Sequence, residues 1–375
     1  MSNQKDLAPA RFWIRGDHRR PGLELVAAFP RIASAADSAI RNPQSAISTT
    51  KGSRTNLAEW LVSPSNPLTS RVIANRLWQH HFGRGICTTP SDFGVMSGPV
   101  THPELLDWLA MELRDNDWGL KRLHRLIVSS ATYRQISDFK LQISDLKAGD
   151  SENLKSEIRN LKSDELYSRF PRRRLDGEAI RDAMLASAGL LTSERGGPGV
   201  MPPLPEEMLS TLLKGQWATS KRQADHYKRS VYVFARRNLR YPIFEAFDRP
   251  DGNASCPIRN QSTTAPQSLL LFNSELSLLA ARHMAGRIMA QAADSRNQIE
   301  QLYLLALSRR PTPSEATILE KFLADQRQRL ASESRPREEL ALPTPCPDAV
   351  DSYSAAALVD ACVAVLNANE FIYVD

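Results

Sequence analysis

The chain is poor in the features that most often betray a function. Its four cysteines, Cys87, Cys256, Cys346 and Cys362, stand far apart, and no C-x-x-C pair is present. Spacing therefore gives neither a zinc site nor a disulfide framework, and the missing C-x-x-C-H excludes haem attachment to this chain. No run approaches the roughly 18 apolar residues of a membrane-spanning helix. The opening MSNQKDLAPARFW has no apolar core behind Lys5, so the expectation is a chain without an export signal of its own. No G-x-S-x-G turn holds a serine nucleophile, and strand–helix alternation of the doubly wound kind is missing. Nor does one charge dominate. Lys and Arg number 48 against 42 Asp and Glu, a formal charge of +6 within 24% charged residues, which describes a mixed surface and argues against a nucleic-acid-binding polycation.

What the chain does have is enough apolar material, 42% of 375 residues, to fill a real core. Residues 1–53 show no sustained period, and their Ser, Ala and Thr content reads as a linker. Asn66 is placed to cap a helix starting at Pro67, along which Leu68, Val72, Ile73, Leu77 and Phe82 recur at helical spacing until Gly83 ends it. Thr101-His102-Pro103-Glu104 has the form of a capping box opening a second helix, and a third is expected from Leu120 to about Tyr133. Residues 136–168 contain near copies of one lysine-rich motif, ISDLK, NLKSE and IRNLKSDE, which reads as an exposed insertion. Beyond it, a helix carrying Ile180, Ala183, Met184 and Ala188 on one face is expected to stop near Gly196-Gly197. RSVYVFA, Arg229–Ala235, alternates like a strand, with a partner expected around 216–219. From Thr264 onward the pattern is helical, with a second capping box at Thr312-Pro313-Ser314-Glu315 and a last helix from Ala355 to about Asn369. The fold class is mainly α, a multi-helix globular domain with a small β-sheet or hairpin, and 54–375 reads as one α-rich domain.

Several constellations invite chemistry and also have plainer readings. His80 and His81 are adjacent, so on a helix their imidazoles point about 100° apart and cannot easily share an ion; no metal site is expected. Asp92-Phe93-Gly94 matches a kinase string without the rest of the kinase set, and reads as a turn with Phe93 anchored in the core. Arg172, Arg173 and Arg174 form the densest basic cluster, followed by Asp176, Glu178, Arg181 and Asp182. Ion pairs on an exposed helix account for them; a planar guanidinium clamping a carboxylate or sulfate is the functional alternative. Arg229, Arg236, Arg237 and Arg240 would extend such a surface, and Tyr232, Phe234 and Tyr241 among them suit stacking. Cys256 lies in a polar loop near Arg259, and Ser262-Thr263-Thr264 reads as a helix N-terminus.

The blocks RVIANRLWQHHFGRGICTTPSDFG, THPELLDWLA, LHRLIVSSATYRQ, FPRRRLDGEAIRDAML, RRNLRYPIFEAFDRPDGNASCPIRNQSTTAPQSLLLFN and LNANEFIYVD, taken together, resemble the planctomycete-type, cytochrome-c-associated C-terminal domain of unknown function, family 1553. The resemblance runs from about Arg54 to Asp375, and Arg15–Pro30 is similar to the linker that precedes the domain in that family. It implies an upstream domain of unknown function and a cytochrome-c-like domain as partners, haem c on a separate partner with no cofactor in this chain, and an extracytoplasmic setting for relatives. It supplies no catalytic residues.

Three functions follow as expectations. The first is an accessory or binding module that docks a partner domain or an anionic polymer, with Trp78, His80, His81, Arg84, Tyr133, Arg172, Arg173, Arg174, Arg236 and Arg237 as binding residues. The second is an enzyme of unassigned class, with Asp92, His102 and Asp176 as catalytic candidates converging with Arg174 in one cleft. The third is nucleic-acid binding through the arginine-rich segment, which the charge balance disfavours.

Overall fold

The computed structural model describes residues 11–24, 54–134, 167, 170–213, 215–237, 239–347 and 350–374. Apart from Tyr167, the segment read as an insertion at 136–168 lies outside the described residues, as do 25–53. The chain forms two compact units, Met1–Pro171 and Arg172–Asp375, a division that falls within the span read from sequence as one domain. Helices dominate both units, and the only sheets among the described residues are two-stranded.

In the first unit, β1 (Arg11–Trp13) and β2 (Pro21–Glu24) pair antiparallel inside the stretch expected to be linker. Strands this short, with Phe12 58% and Trp13 45% exposed, leave no burial period to read. The helices are α1 (Arg54–Val62), α2 (Thr69–Phe82), α3 (Pro103–Asp115), α4 (Leu120–Ser129) and the single turn α5 (Ala131–Arg134). Helix α2 starts at Thr69, two residues later than expected, with Leu68 at its N-cap position; Asn66 holds the turn before it, its Oδ1 accepting from the N–H groups of Leu68 at 2.9 Å and Thr69 at 3.3 Å, and Gly83 ends the helix at φ 80° as expected. The helix expected from Leu120 to Tyr133 breaks at Ser130, whose hydroxyl takes the Ile127 carbonyl at 2.7 Å and whose backbone is extended.

The box at Thr101 does not form. Both its N–H, at 3.0 Å, and its hydroxyl, at 3.3 Å, donate to the Ile86 carbonyl, so Thr101 fastens the preceding loop and His102 takes the N-cap position of α3. That loop is also held from α2. The fully buried Asn75 places its Oδ1 2.8 Å from the Cys87 N–H and its Nδ2 3.0 Å from the Cys87 carbonyl, doing for one residue what a neighbouring strand would do. Gly85 is required beside it, because a Cβ there would stand 2.6 Å from the Cys87 oxygen and 2.7 Å from Asn75 Nδ2.

In the second unit, β3 (Arg173–Arg174) pairs antiparallel with the C-terminal β4 (Tyr373–Val374). Between them run α6 (Gly177–Ser187), α7 (Glu206–Thr211), α8 (Gln223–His226), α9 (Pro242–Ala246), α10 (Ala265–Asn273), α11 (Glu275–Gln291), α12 (Ser295–Leu307), α13 (Pro313–Ser332), α14 (Ser352–Leu366) and α15 (Asn369–Ile372). The core runs through Ile180 and Met184 of α6, Met284 and Ile288 of α11, Leu302 of α12 and Val359 of α14. Small residues line the α11 and α14 seam, Ala280, Ala281 and Ala285 among them, so the two backbones approach closely. The capping box at Thr312 forms as expected: the Thr312 N–H donates to Glu315 at 2.7 Å. Arg309 grips Glu315 and Glu370 with two hydrogen bonds each and, with the Thr312 donors, holds the Glu315 carboxyl down to about 2.

Three expectations change here. Helix α6 ends at Ser187, just before Gly189 (φ 75°) and well ahead of Gly196 and Gly197, which adopt positive φ in the following loop. The last helix breaks after Leu366 and resumes as α15. The strand expected at Arg229–Ala235 is a 3-10 turn over Ser230–Tyr232 followed by one parallel bridge, Val233 to Val200, so the partner is not the 216–219 segment. The cause lies in α6: Asp182 Oδ1 accepts from both the N–H and hydroxyl of Ser230 at 2.7 Å, and Arg181 donates to the Lys228 and His226 carbonyls at 2.9 and 2.6 Å. Side chains satisfy that backbone before a ladder can. No helix among the described residues is long and apolar enough to cross a membrane.

Asn75→Ala removes two buried hydrogen bonds and strands both polar groups of Cys87. Urea unfolding of the variant should show a loss of about 2–4 kcal/mol, and a loss below about 0.5 kcal/mol would contradict this role.

Candidate functional site

The second unit holds a long irregular stretch from Phe247 to Thr264, between α9 and α10. Loops of this length without their own secondary structure are uncommon in compact units and are often functional, which makes the way this one is held informative. Arg174 closes its neck. Pairing of β3 with β4, extended by the Leu175 N–H to the Ile372 carbonyl at 2.8 Å, fixes the Arg174 backbone, and its side chain runs inward to 7% exposure. There Nη2 meets Asp248 Oδ2 at 2.7 Å, while Nη1 donates to the Ser262 carbonyl and to Gln267 Oε1, the latter at 3.1 Å. The guanidinium also lies 5.2 Å from the centre of the Phe247 ring.

Asp248 returns the contact twice. Its Oδ1 accepts from the Ser262 hydroxyl at 2.7 Å and its Oδ2 from the Ser262 N–H at 2.8 Å. Burial pushes this carboxyl up; Arg174 and the two Ser262 donors reverse that and leave it below the usual carboxylate range. Asp248 holds φ at 60°, a left-handed conformation in which aspartate is among the better-tolerated residues and which turns the chain out of α9. Gln267, 5% exposed, completes the knot: Nε2 donates to the Ala246 carbonyl at 2.9 Å and the Ser262 hydroxyl at 3.2 Å, and Oε1 accepts from the Thr264 N–H at 3.3 Å.

A second fastening holds the loop midway. Arg259 meets Glu178, in the first turn of α6, through two hydrogen bonds of 2.9 and 3.1 Å, and reaches Asp176 at 3.3 Å; Arg249 stands 3.5 Å from Glu178. Burial works against the charged Glu178, yet the two arginines hold its carboxyl below the usual range. Gly177 lets α6 come this close to α9, since a Cβ there would stand 2.8 Å from the Ile243 carbonyl.

The result is a constrained loop with exposed Asp251–Gln261. Beside it, a Cβ on Gly252 would sit 3.6 Å from Arg237 Cγ, placing Arg237 along the loop's flank. Arg237 is exposed and Arg240 half-buried, and neither has a hydrogen bond, ion pair or ring contact among the described residues. Arg236 is committed otherwise, donating to the Gln216 carbonyl. Phe234 and Ile258 are 45% and 48% exposed.

The residues singled out from sequence divide sharply. Arg174 is structural and buried; Arg172 is exposed and lies 4.8 Å from the centre of the Tyr373 ring, and Arg173 belongs to the β3 edge. Arg181 and Asp182 are not a pair on an exposed helix: Arg181 is 1% exposed, and both hold the 226–230 segment. In the first unit, Trp78 is 6% exposed and stacks on Phe82 at 4.3 Å within the core, and half-buried Tyr133 packs against that core, 5.9 Å from Phe82. His80 and Arg84 face solvent. His81 turns to His124, Nε2 to Nδ1 2.8 Å, with Tyr133 edge-on at 5.6 Å. Asp92 accepts from the Gly94 N–H at 2.9 Å with Phe93 packed inward, the turn expected from sequence. His102 contacts the Thr101 hydroxyl at 3.0 Å. Asp92 and His102 thus have local partners in one unit, and in the other Arg174 and Asp176 engage different groups.

Asp248, Gln267 and His124 escaped the sequence reading. The signal for Asp248 was available in Phe247-Asp248-Arg249-Pro250, an aspartate at a helix end before proline; Gln267 and His124 carry no local signature.

No curated protein and no solved structure matches this chain. The family described as a protein of unknown function, DUF1553, matches residues 53–323, which contain the whole of the Arg174-held loop. The chain belongs to that family.

Proposed function

We propose that this chain is a binding module whose second unit takes an anionic polymer, a sulfated or carboxylated polysaccharide, along the face formed by Arg237, Arg240 and the loop Arg249–Gln261. The observation that carries the reading is Arg237, which has no side-chain partner among the described residues, standing beside a loop whose shape is fixed from within, with Arg240 likewise without such a partner among the described residues three positions on. Most arginines around this loop are consumed by carboxylates or carbonyls; among the described residues nothing takes up the donors of these two, which leaves them for a ligand. Because the loop is already ordered, less conformational entropy is lost on binding. Exposed Phe234 offers a ring face on which a sugar can stack.

The family resemblance extends the proposal: the chain acts as the C-terminal part of a cytochrome-c-linked extracytoplasmic system, beside an upstream domain of unknown function. Its support is family membership and the six sequence blocks. A pull-down with the full chain from cells that make it should yield a partner positive for covalently bound haem, and eluates free of haem would count against the link.

The anionic-polymer reading is tested on immobilised heparin. The wild-type chain should be retained at low salt and released as salt rises; Arg237→Ala with Arg240→Ala should weaken binding about tenfold, as expected for two surface contacts of ~0.7 kcal/mol each. Lack of retention, or unchanged affinity in the double variant, would sink it.

A further inference from the structure

Away from that face, a cavity of about 560 Å³ opens in the second unit between α13 and α14, a size within the usual range of small-molecule sites, about 300–1,000 Å³. Phe322 and Leu330 of α13, Val363 of α14 and Leu340 of the intervening segment give it apolar walls, and Phe272, 60% exposed, stands at its edge. One charged group interrupts them. Asp360 is the only acidic or basic residue in α14, SYSAAALVDACVAVL, and is placed in the cavity lining.

Asp360 is half satisfied. Gln326 Nε2 donates to its Oδ2 at 2.8 Å, and Oδ1 has no partner among the described residues. Arg329 and Arg335 also line the cavity, but both are drawn to Glu333, at 3.0 and 2.6 Å. Burial pushes the Asp360 carboxyl up, and Gln326 and the two arginines offset this only in part. With Asp360 ionised, the lining carries two guanidinium groups against three carboxylates, Glu333, Glu339 and Asp360, so it has one net negative charge. An apolar body with a single positive head complements such a space, whereas an anion would meet an uncompensated acid.

We propose that this cavity binds a small apolar molecule bearing one ammonium group, the ammonium donating to Asp360 Oδ1 while its hydrocarbon part lies between α13 and α14. The site is separate from the polymer-binding face and does not depend on it.

The probes are n-octylammonium, n-octanol and n-octanoate, titrated into the full chain by calorimetry and by NMR of labelled protein. Octylammonium should bind saturably with shifts centred on α13 and α14, octanol at least tenfold more weakly, and octanoate not measurably. Asp360→Asn, which keeps the size and the Gln326 contact, should weaken octylammonium at least tenfold and leave heparin retention unchanged. Ala364→Trp, at an exposed position of the lining, should abolish octylammonium binding in a chain whose circular dichroism and melting remain those of the wild type. Equal binding of octylammonium and octanol, unchanged affinity in Asp360→Asn, shifts away from these helices, or no binding of octylammonium would each overturn the proposal.

Discussion

The second unit is organised around one buried guanidinium. Placing Arg174 at 7% exposure requires compensation for the water it gives up, and the fold supplies it from three directions: the Asp248 carboxylate, the Ser262 carbonyl and the Gln267 amide. Each comes from a different stretch around the loop, and the β3–β4 pair fixes the guanidinium from the far end of the chain. Arginine suits the position because its planar fork presents donors to several acceptors at once, which a lysine ammonium on a flexible stem does not reproduce. Taking away one partner leaves another buried and unpaired, so the knot forms or fails as a whole.

The first unit meets a similar demand with neutral groups. Its irregular 83–101 segment is tied to α2 by Asn75 and to itself by Thr101, while Tyr167 donates its hydroxyl to the Gly85 carbonyl at 2.8 Å. In both units, then, a buried polar side chain on a regular element substitutes for a missing strand. This explains how a mainly helical protein can carry long segments that belong to neither helix nor sheet and still satisfy their backbone.

The helices were legible because their signals are local: Asn66 and Gly83 bracket α2, Thr312 and Glu315 open α13, and the apolar period of α6 points Ile180 and Met184 inward. Where the sequence misled, a distant side chain had taken over a local pattern. The alternation of RSVYVFA is real, but Asp182 and Arg181 claim its backbone from α6; the box at Thr101 is spelled correctly, but Ile86 captures the hydroxyl. The arginine cluster was visible as a cluster, whereas the split between buried Arg174 and exposed Arg237, which has no side-chain partner among the described residues, depends on which carboxylates the fold brings near. Trp78 shows the limit in the other direction: a residue type common at interfaces is here spent on the core.

The central claim is that Arg174 keeps the loop Arg249–Gln261 in one shape. The most direct measurement is the rate of tryptic cleavage after Arg259, in the wild type and in Arg174→Met, at a temperature where circular dichroism shows both folded; cleavage of a folded chain reports how often the segment opens. The account predicts slow cleavage in the wild type and cleavage at least tenfold faster in the variant. Equal rates in the two proteins would contradict it.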